Sequence, residues 1–358
     1  ADQTGAASVW PRLVAAASEP RDLEGWEWRA SRPLSTYHFS LAVSEYQELA
    51  DLFVADGDTL PIRHFVYPDL VDECAIDFAK LPQMLQFSVD TFGPFPFPDE
   101  KYGMVLFEWD GAMEHPTAVS WGRPLVSGTN RYETIVMHEL AHEWFGNQVT
   151  CSDWTQVWLN EGFATYAEAL WKEHAYGAPY RKTFMIQRSV FWVWEGPLVR
   201  MAGLDDPYYY FADMVYFKGA WVLHMLRRWL GDETFFACLR AWLTNPQVSY
   251  GSAVSDDFVR VCEQTSGQEL DWFFDQWLYR TTYPELAIRF ANLAPDGPDN
   301  VRLTLTQAQN DDPLAGDAPF RVPVELELTG VGWRDTVTVL LEERTQDFLV
   351  TRSEERRV

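Results

Sequence analysis

One short pattern, His138-Glu139-Leu140-Ala141-His142, constrains the fold of this chain more than any other feature of its 358 residues. It lies among apolar residues that recur at helical spacing, so the segment is predicted to be a helix. Residues four apart on a helix lie on the same face, which lets both imidazoles reach a single metal ion. The pattern therefore predicts a helix that supplies two metal ligands.

A catalytic zinc ion takes three protein ligands and leaves one position open, so a third ligand must come from elsewhere in the chain. Glu161 lies 19 residues after His142, early in the next segment with a helical pattern. A helix, a turn and an antiparallel helix would bring it back to the two histidines. Two imidazoles and one carboxylate favour zinc, and we expect one Zn²⁺ per chain.

Two further glutamates are expected to serve this metal site. Glu139 directly follows the first ligand, so its carboxylate should lie beside the metal and act as a general base that takes a proton from the attacking water. Glu168 lies two turns after Glu161 on the same helix face and could accept a hydrogen bond from one imidazole. A solvated surface position is the alternative for Glu168.

The first half of the sequence mixes strands with helices. Alternating apolar and polar residues predict short strands over residues 26–29 and 36–43, and helical spacing predicts a helix over residues 70–92. Residues 102–109 and 117–121 are also predicted to be strands. The segment between these two strands should lie at or beside a sheet edge.

Helical patterns dominate residues 132–279, and after Tyr283-Pro284 the chain changes to short alternating runs separated by Gly, Pro, Asn and Asp. Those runs predict a small β-sandwich, and the fold class as a whole is predicted to be α+β. We therefore divide the chain into the terminal strands of an N-terminal domain (residues 1–43), a mostly helical catalytic domain (residues 44–283) and a β-sandwich domain (residues 284–358).

Charge and hydropathy exclude two classes of partner. The chain holds 53 acidic and 28 basic residues, a net charge of −25. Such a surface repels a phosphate backbone, so nucleic acid is not an expected partner. No run of about 18 apolar residues occurs, so no membrane span is expected. The amino-terminal residues lack the parts of a signal peptide, so the chain is cytoplasmic or has lost such a segment, and we favour a periplasmic or extracellular location.

Four motifs of the sequence resemble, in their order and spacing, those of the zinc aminopeptidase family that includes membrane alanyl aminopeptidase and leukotriene hydrolase. The shared pieces are the histidine pattern, the stretch with Glu161, and the segments Gly111-Ala112-Met113-Glu114-His115 and Tyr216-Phe217-Lys218-Gly219-Ala220. The resemblance extends over about residues 36–279. It implies a thermolysin-like catalytic domain, preceded in the family by a β-saddle domain.

The resemblance also implies a role for each site residue. Zinc is held by His138, His142 and Glu161, and Glu139 is the base, as the residues alone indicate. Glu114 is implied to bind the α-ammonium group of the substrate, because an internal peptide cannot make that charge-assisted hydrogen bond. Tyr216 is implied to stabilise the oxyanion of the tetrahedral intermediate. The implied substrate-binding segment also contains Gly111, Ala112, Met113 and His115.

The sequence departs from the family pattern in two residues and in length. His115 stands where the family motif commonly has asparagine, and Phe217 stands where it commonly has glutamate, which removes a polar neighbour of Tyr216. Only the last strands of the β-saddle domain, up to about Val43, are expected, and the family's carboxy-terminal helical domain has no counterpart. The substrate cleft is then unusually open, or the chain is a portion of a longer protein.

The predicted function is that of a zinc-dependent aminopeptidase acting on peptides with a free amino terminus. Two alternatives stay open: another hydrolase built on the same zinc site, either an endopeptidase or an epoxide hydrolase, and a catalytically silent binding protein. Activity on amino-terminally blocked substrates would favour the first alternative. The intact set of metal ligands argues against the second. The sequence does not predict the oligomeric state.

Overall fold

The computed structural model describes residues 30–55, 58–189, 194, 196–199, 207–292, 300–330 and 333–351. They form a helical body combined with β-sheets, which confirms the predicted α+β class. The helices are α1 (Val71–Asp77), α2 (Leu81–Phe92), α3 (Glu133–Ala141), α4 (Trp158–Tyr176), α5 (Ala178–Gln187), α6 (Asp213–Leu230), α7 (Asp232–Thr244), α8 (Ser255–Ser266) and α9 (Asp271–Phe274). None of these described helices combines the length and the hydropathy needed to span a lipid bilayer.

The strands are β1 (Gln47–Ala55), β2 (Asp58–Val66), β3 (Met104–Phe107), β4 (Ala112–Met113), β5 (Val119–Gly122), β6 (Val149–Cys151), β7 (Gly251–Ala253), β8 (Leu286–Asn292), β9 (Asn300–Gln307), β10 (Val322–Gly330), β11 (Trp333–Leu341) and β12 (Thr345–Thr351). Five of them form one mixed sheet, in the order β1-β2-β3-β5-β4. β2, β3 and β5 are parallel, whereas β1 and β4 are antiparallel to their neighbours. β4 is an edge strand, as predicted for this segment.

Two parts of the amino-terminal half differ from their predictions. The strand predicted over residues 36–43 is wrong, because Thr36–His38 form a 3₁₀-helix and the backbone after it is irregular. Alternating apolar residues form a strand only beside a pairing partner, and the described residues pair none with this segment. The strand predicted over residues 26–29 lies outside the described residues. The long helix predicted over residues 70–92 is divided into α1 and α2.

The β1–β2 hairpin was not predicted. Its strands pair along their whole length, from Gln47 opposite Val66 to Ala55 opposite Asp58. The two residues between them in the sequence, Asp56-Gly57, lie outside the described residues. This dipeptide is common between paired strands, so the sequence could have indicated the pairing of β1 with β2.

The helical body packs around α4, whose first fourteen residues are buried. α4 contacts α3, α5 and α6. Where α4 and α6 cross, Gly162 and Gly219 face each other: a Cβ atom added to Gly162 would lie 2.9 Å from the Cα of Gly219, and the reverse distance is 2.8 Å. Only glycine lets the two backbones approach this closely, so the pair sets the spacing of the two helices.

The predicted runs after residue 284 do form strands. β8, β9 and β12 make one antiparallel sheet, and β10 and β11 make a second. β12 was not predicted. Two hydrogen bonds between Gln276 and Arg321, of 2.9 and 3.0 Å, connect this region to the end of the helical body.

Candidate active site

α3 and α4 bring together the three predicted metal ligands. His138 lies on α3, His142 caps the carboxyl end of that helix, and Glu161 lies in the first turn of α4. The Nε2 atoms of His138 and His142 lie 3.1 and 3.5 Å from the same atom, Oε2 of Glu161. One ligand atom from each of the three residues lies within 4.8 Å of the other two. The structure thus brings together the three predicted ligands, His138, His142 and Glu161, which we call the trio.

The second ring nitrogen of each histidine is anchored. Nδ1 of His138 lies 3.0 Å from Oε1 of Glu168, and Nδ1 of His142 lies 2.8 Å from the carbonyl oxygen of Phe145. Because Nδ1 faces an acceptor outside the trio in both rings, it can keep its proton when a metal ion displaces the proton on Nε2. Two Nε2 atoms and a carboxylate oxygen would then form the donor set of a zinc site. Glu168 is buried, so the solvated alternative does not describe it.

The charges of the trio reinforce one another. Burial lowers the pKa of His138, but the carboxylates of Glu161 and Glu168 outweigh it and raise that pKa well above its usual range. Against the same effect of burial, Glu114 and Glu161 raise the pKa of His142 to about 9. In return, the imidazoles lower the pKa of Glu161 to about 2, although burial alone would raise it. The site therefore attracts positive charge, and a bound cation would compete with these protons.

Glu139 lies beside the trio on α3 with its side chain buried. Its Oε2 atom has no hydrogen-bond partner among the described residues. Burial raises the pKa of this carboxyl to about 7. A carboxylate with an available oxygen and a near-neutral pKa is suited to accept a proton and give it back.

The carboxylate of Glu114 lies close to His142, one of the predicted metal ligands. One of its oxygens, one oxygen of Glu139 and a ring nitrogen of His142 all lie within 4.8 Å of one another. Glu114 is 5% exposed, and burial raises its pKa. A buried negative group at this place can bind an ammonium group through a charge-assisted hydrogen bond.

The rest of the predicted substrate-binding segment lies along the sheet edge. Ala112 and Met113 pair with β5. The carbonyl oxygen of Gly111 accepts a hydrogen bond of 2.7 Å from the last residue of β5. Nδ1 of His115 lies 2.9 Å from the hydroxyl oxygen of Ser120, so the residue that departs from the family motif is tied to the sheet.

Tyr216 reaches the site from α6. Its ring stacks on that of His138 with the centroids 6.1 Å apart. Burial, followed by the nearby site carboxylates with Glu161 first among them, raises the pKa of Tyr216, so the phenol stays protonated and can donate a hydrogen bond. The neighbouring Phe217 instead faces the guanidinium group of Arg188, which lies 5.5 Å from the ring centroid.

Four residues near the site were not predicted: Tyr37, Glu143, Asn147 and Asn160. Asn160 accepts a hydrogen bond from the backbone N–H of Cys151 and donates one of 3.1 Å to the hydroxyl of Tyr37. Tyr37 lies 123 residues before Asn160, so no local pattern could have found it. Glu143, Asn147 and Asn160 lie close to the predicted metal ligands in the sequence, and that proximity is the signal that could have found them.

Comparison with known proteins identifies the family. Residues 77–277, more than half of the chain, match the peptidase family M1 domain. An aminopeptidase N from Streptomyces lividans is 30% identical over 281 residues, which are 73% of this chain and 32% of that protein. A glutamyl aminopeptidase from Homo sapiens is 25% identical, with 72% of this chain and 28% of that protein covered. The chain spans about a third of the length of these curated relatives.

Solved structures share the fold. The structure of Legionella pneumophila aminopeptidase A in complex with aspartic acid superposes with a TM-score of 0.73 at 19% identity, over 86% of this chain and 36% of that one, which shows the fold alone. A mutant M1 zinc metallopeptidase from Deinococcus radiodurans superposes with a TM-score of 0.61 at 27% identity, over 71% of this chain and 57% of that one. The matched region contains every predicted site residue. The resemblance carried by the motifs is therefore confirmed, and this chain belongs to peptidase family M1.

Proposed function

We propose that this chain carries the catalytic centre of a zinc-dependent aminopeptidase, which removes amino-terminal residues from peptides. The observation that carries the proposal is the buried carboxylate of Glu114, within 4.8 Å of Glu139 and His142. The amino terminus is the one positively charged group of a peptide backbone, so this carboxylate favours terminal over internal residues. The relatives named aminopeptidases support the same proposal.

The proposed metal is one zinc ion per chain, held by His138, His142 and Glu161. Its support is the convergence of two Nε2 atoms on one carboxylate oxygen, with both Nδ1 atoms anchored elsewhere. When bound, zinc supplies a Lewis acid that polarises the scissile carbonyl group and makes water a better nucleophile. A structural neighbour of 27% identity is a zinc metallopeptidase.

Three side chains of this chain perform the remaining work. Glu114 holds the α-ammonium group and so places the first peptide bond of the substrate beside the trio. Glu139 accepts the proton of the attacking water and delivers it to the amine that leaves. Tyr216 donates a hydrogen bond from its phenol to the oxyanion, which stabilises the tetrahedral intermediate more than the substrate.

The test compares leucine p-nitroanilide with its N-acetyl form, alongside a measurement of the metal content. We expect about one zinc per chain, loss of hydrolysis with a chelator, recovery with added zinc, and cleavage of the free-amine form only. Full activity of metal-free protein would refute the zinc mechanism. Equal cleavage of both forms would favour the endopeptidase or epoxide hydrolase alternative, and zinc binding without any hydrolysis would favour the silent binding protein.

A further inference from the structure

The turn that ends α3 reaches back to the segment that carries Glu114. Nδ2 of Asn147 donates a hydrogen bond of 2.9 Å to the backbone carbonyl oxygen of Glu114. Oε1 of Glu143 accepts a hydrogen bond of 2.8 Å from the backbone N–H of Thr117. Both side chains are enclosed, with exposed fractions of 0% for Glu143 and 2% for Asn147. Two buried polar side chains of one turn therefore hold the segment on either side of His115.

Thr117 has a backbone conformation that requires such support. Its φ of 60° lies in the left-handed region, which a β-branched residue rarely adopts. All three of its polar groups are bound: the N–H by Glu143, the carbonyl oxygen by Nζ of Lys101 at 2.7 Å, and the hydroxyl by Oε2 of Glu100 at 3.2 Å. A strained residue persists only where its surroundings over-determine it, so contacts from outside the segment set the course of this turn.

We propose that Glu143 and Asn147 are positioning residues that fix the distance between the metal ligands and the carboxylate of Glu114. His142 directly precedes Glu143, so one short turn of backbone connects a metal ligand to both contacts. The inference rests on the proposed function, in which Glu114 holds the α-ammonium group and so places the first peptide bond of the substrate beside the trio.

Loss of these contacts should separate recognition from metal binding. The imidazoles have their own anchors at Glu168 and Phe145, which the turn contacts do not include. The ammonium site, in contrast, would shift relative to the metal. A displaced carboxylate makes a poorer hydrogen bond to the ammonium group, so even a small shift should raise KM measurably.

The variants remove each contact or preserve it. Glu143→Leu has no acceptor for the N–H of Thr117, whereas Glu143→Gln keeps a carbonyl oxygen there. Asn147→Leu is close in size and has no donor. Gln148→Leu is the matched control, because Gln148 is buried in the same turn but donates to the carbonyl oxygen of Leu243 at 2.9 Å and not to the segment of Glu114.

The experiment measures kcat and KM for leucine p-nitroanilide and its N-acetyl form, with the zinc content and melting temperature of each variant. Glu143→Leu and Asn147→Leu should lower kcat/KM for the free-amine substrate about tenfold or more, mainly through KM, with about one zinc per chain retained. Glu143→Gln and Gln148→Leu should stay within about twofold of the unmodified protein, since neither removes a contact to the segment.

Several results would overturn the inference. Folded Leu variants of Glu143 and Asn147 with unchanged KM would do so and leave the proposed function intact. The same holds if these variants lose zinc, or if kcat falls and KM does not rise, since the turn would then support only the fold. If Glu143→Leu does not fold, Asn147→Leu decides, and if neither folds the contacts are structural and the inference fails. An unmodified protein without preference for the free amine would refute both the proposed function and this inference.

Discussion

The metal half and the amine half of the site are built in different ways. All three proposed metal ligands lie on or next to two helices, α3 and α4, and each imidazole has a fixed partner at Nδ1. Glu114 instead follows a two-residue edge strand, and its segment is held by side chains from elsewhere in the chain. The chemistry thus depends on regular secondary structure, whereas the recognition depends on tertiary contacts. Changes to packing should therefore disturb recognition before they disturb the metal.

The largest effect is expected from a change of Glu139. It tests whether this residue transfers a proton in the metal half of the site without being a metal ligand. Glu139→Gln keeps the shape of the side chain but cannot take up the proton, so kcat should fall by a factor of about 10² to 10⁴ with zinc retained. Kinetics and metal analysis of the same sample check this. The control is Glu133→Gln, a buried glutamate at the start of α3 that binds Lys80 at 2.9 Å and should keep its kcat. Simultaneous loss of zinc would mean that Glu139 is a ligand.

The next largest effect is expected from a change of Tyr216. It tests whether this residue acts in the metal half or in the amine half of the site. A phenol that acts only on the oxyanion gives a variant, Tyr216→Phe, in which kcat and kcat/KM fall together by roughly 10² to 10³ with little change in KM. Steady-state kinetics separate these constants. Tyr166→Phe is the matched control, because that hydroxyl contacts Nδ1 of His224 at 3.1 Å. A higher KM at unchanged kcat would instead place Tyr216 in the amine half.

A smaller effect is expected from Glu114→Ala, which tests whether the two halves are separable. Loss of one charge-assisted hydrogen bond should raise KM for leucine p-nitroanilide about 10- to 100-fold and reduce the preference over the acetylated form. The zinc content should not change. Because Glu114 comes within 4.8 Å of a ring nitrogen of His142, loss of zinc is the informative contrary result, and it would merge the two halves into one site.

The smallest effect concerns the anchoring of the metal half. Glu168→Gln should weaken zinc binding by about tenfold, the lower end of the usual range, because the amide oxygen can still accept from Nδ1 of His138. Competition with a chelator measures this, and saturating zinc should restore activity. An unchanged zinc dissociation constant would show that the anchor at His138 does not contribute to affinity.

The metal half lies on helices and the amine half is held by tertiary contacts, and this difference explains how much of the site the sequence could predict. His138 and His142 are four residues apart on one helix, and Glu161 begins the next long helix, so local patterns encode the trio. Glu114 was identified only through the family resemblance. The left-handed turn at Thr117 depends on Lys101 and Glu143, which lie 16 and 26 residues away, and no period in the sequence encodes such contacts.

The fold shows the same limit at the amino-terminal end. Helical patterns and the strands β8 to β11 follow periods of the sequence, and their types were predicted correctly. The alternation over residues 36–43 gave a wrong strand because period two describes only which side chains share a face. Whether that face becomes buried depends on another element that packs against it. Phe39, Leu41 and Val43 are exposed, so no described element covers this face.

The contact between Gly162 and Gly219 has a consequence for how the site tolerates substitution. The missing side chains let α6 approach α4 closely, and Tyr216 on α6 lies near Glu161 on α4. Alanine at both positions would place two methyl groups in this contact and force the helices apart, so the phenol would move away from Glu161. The position of the proposed oxyanion donor thus depends on two residues that have no side chain.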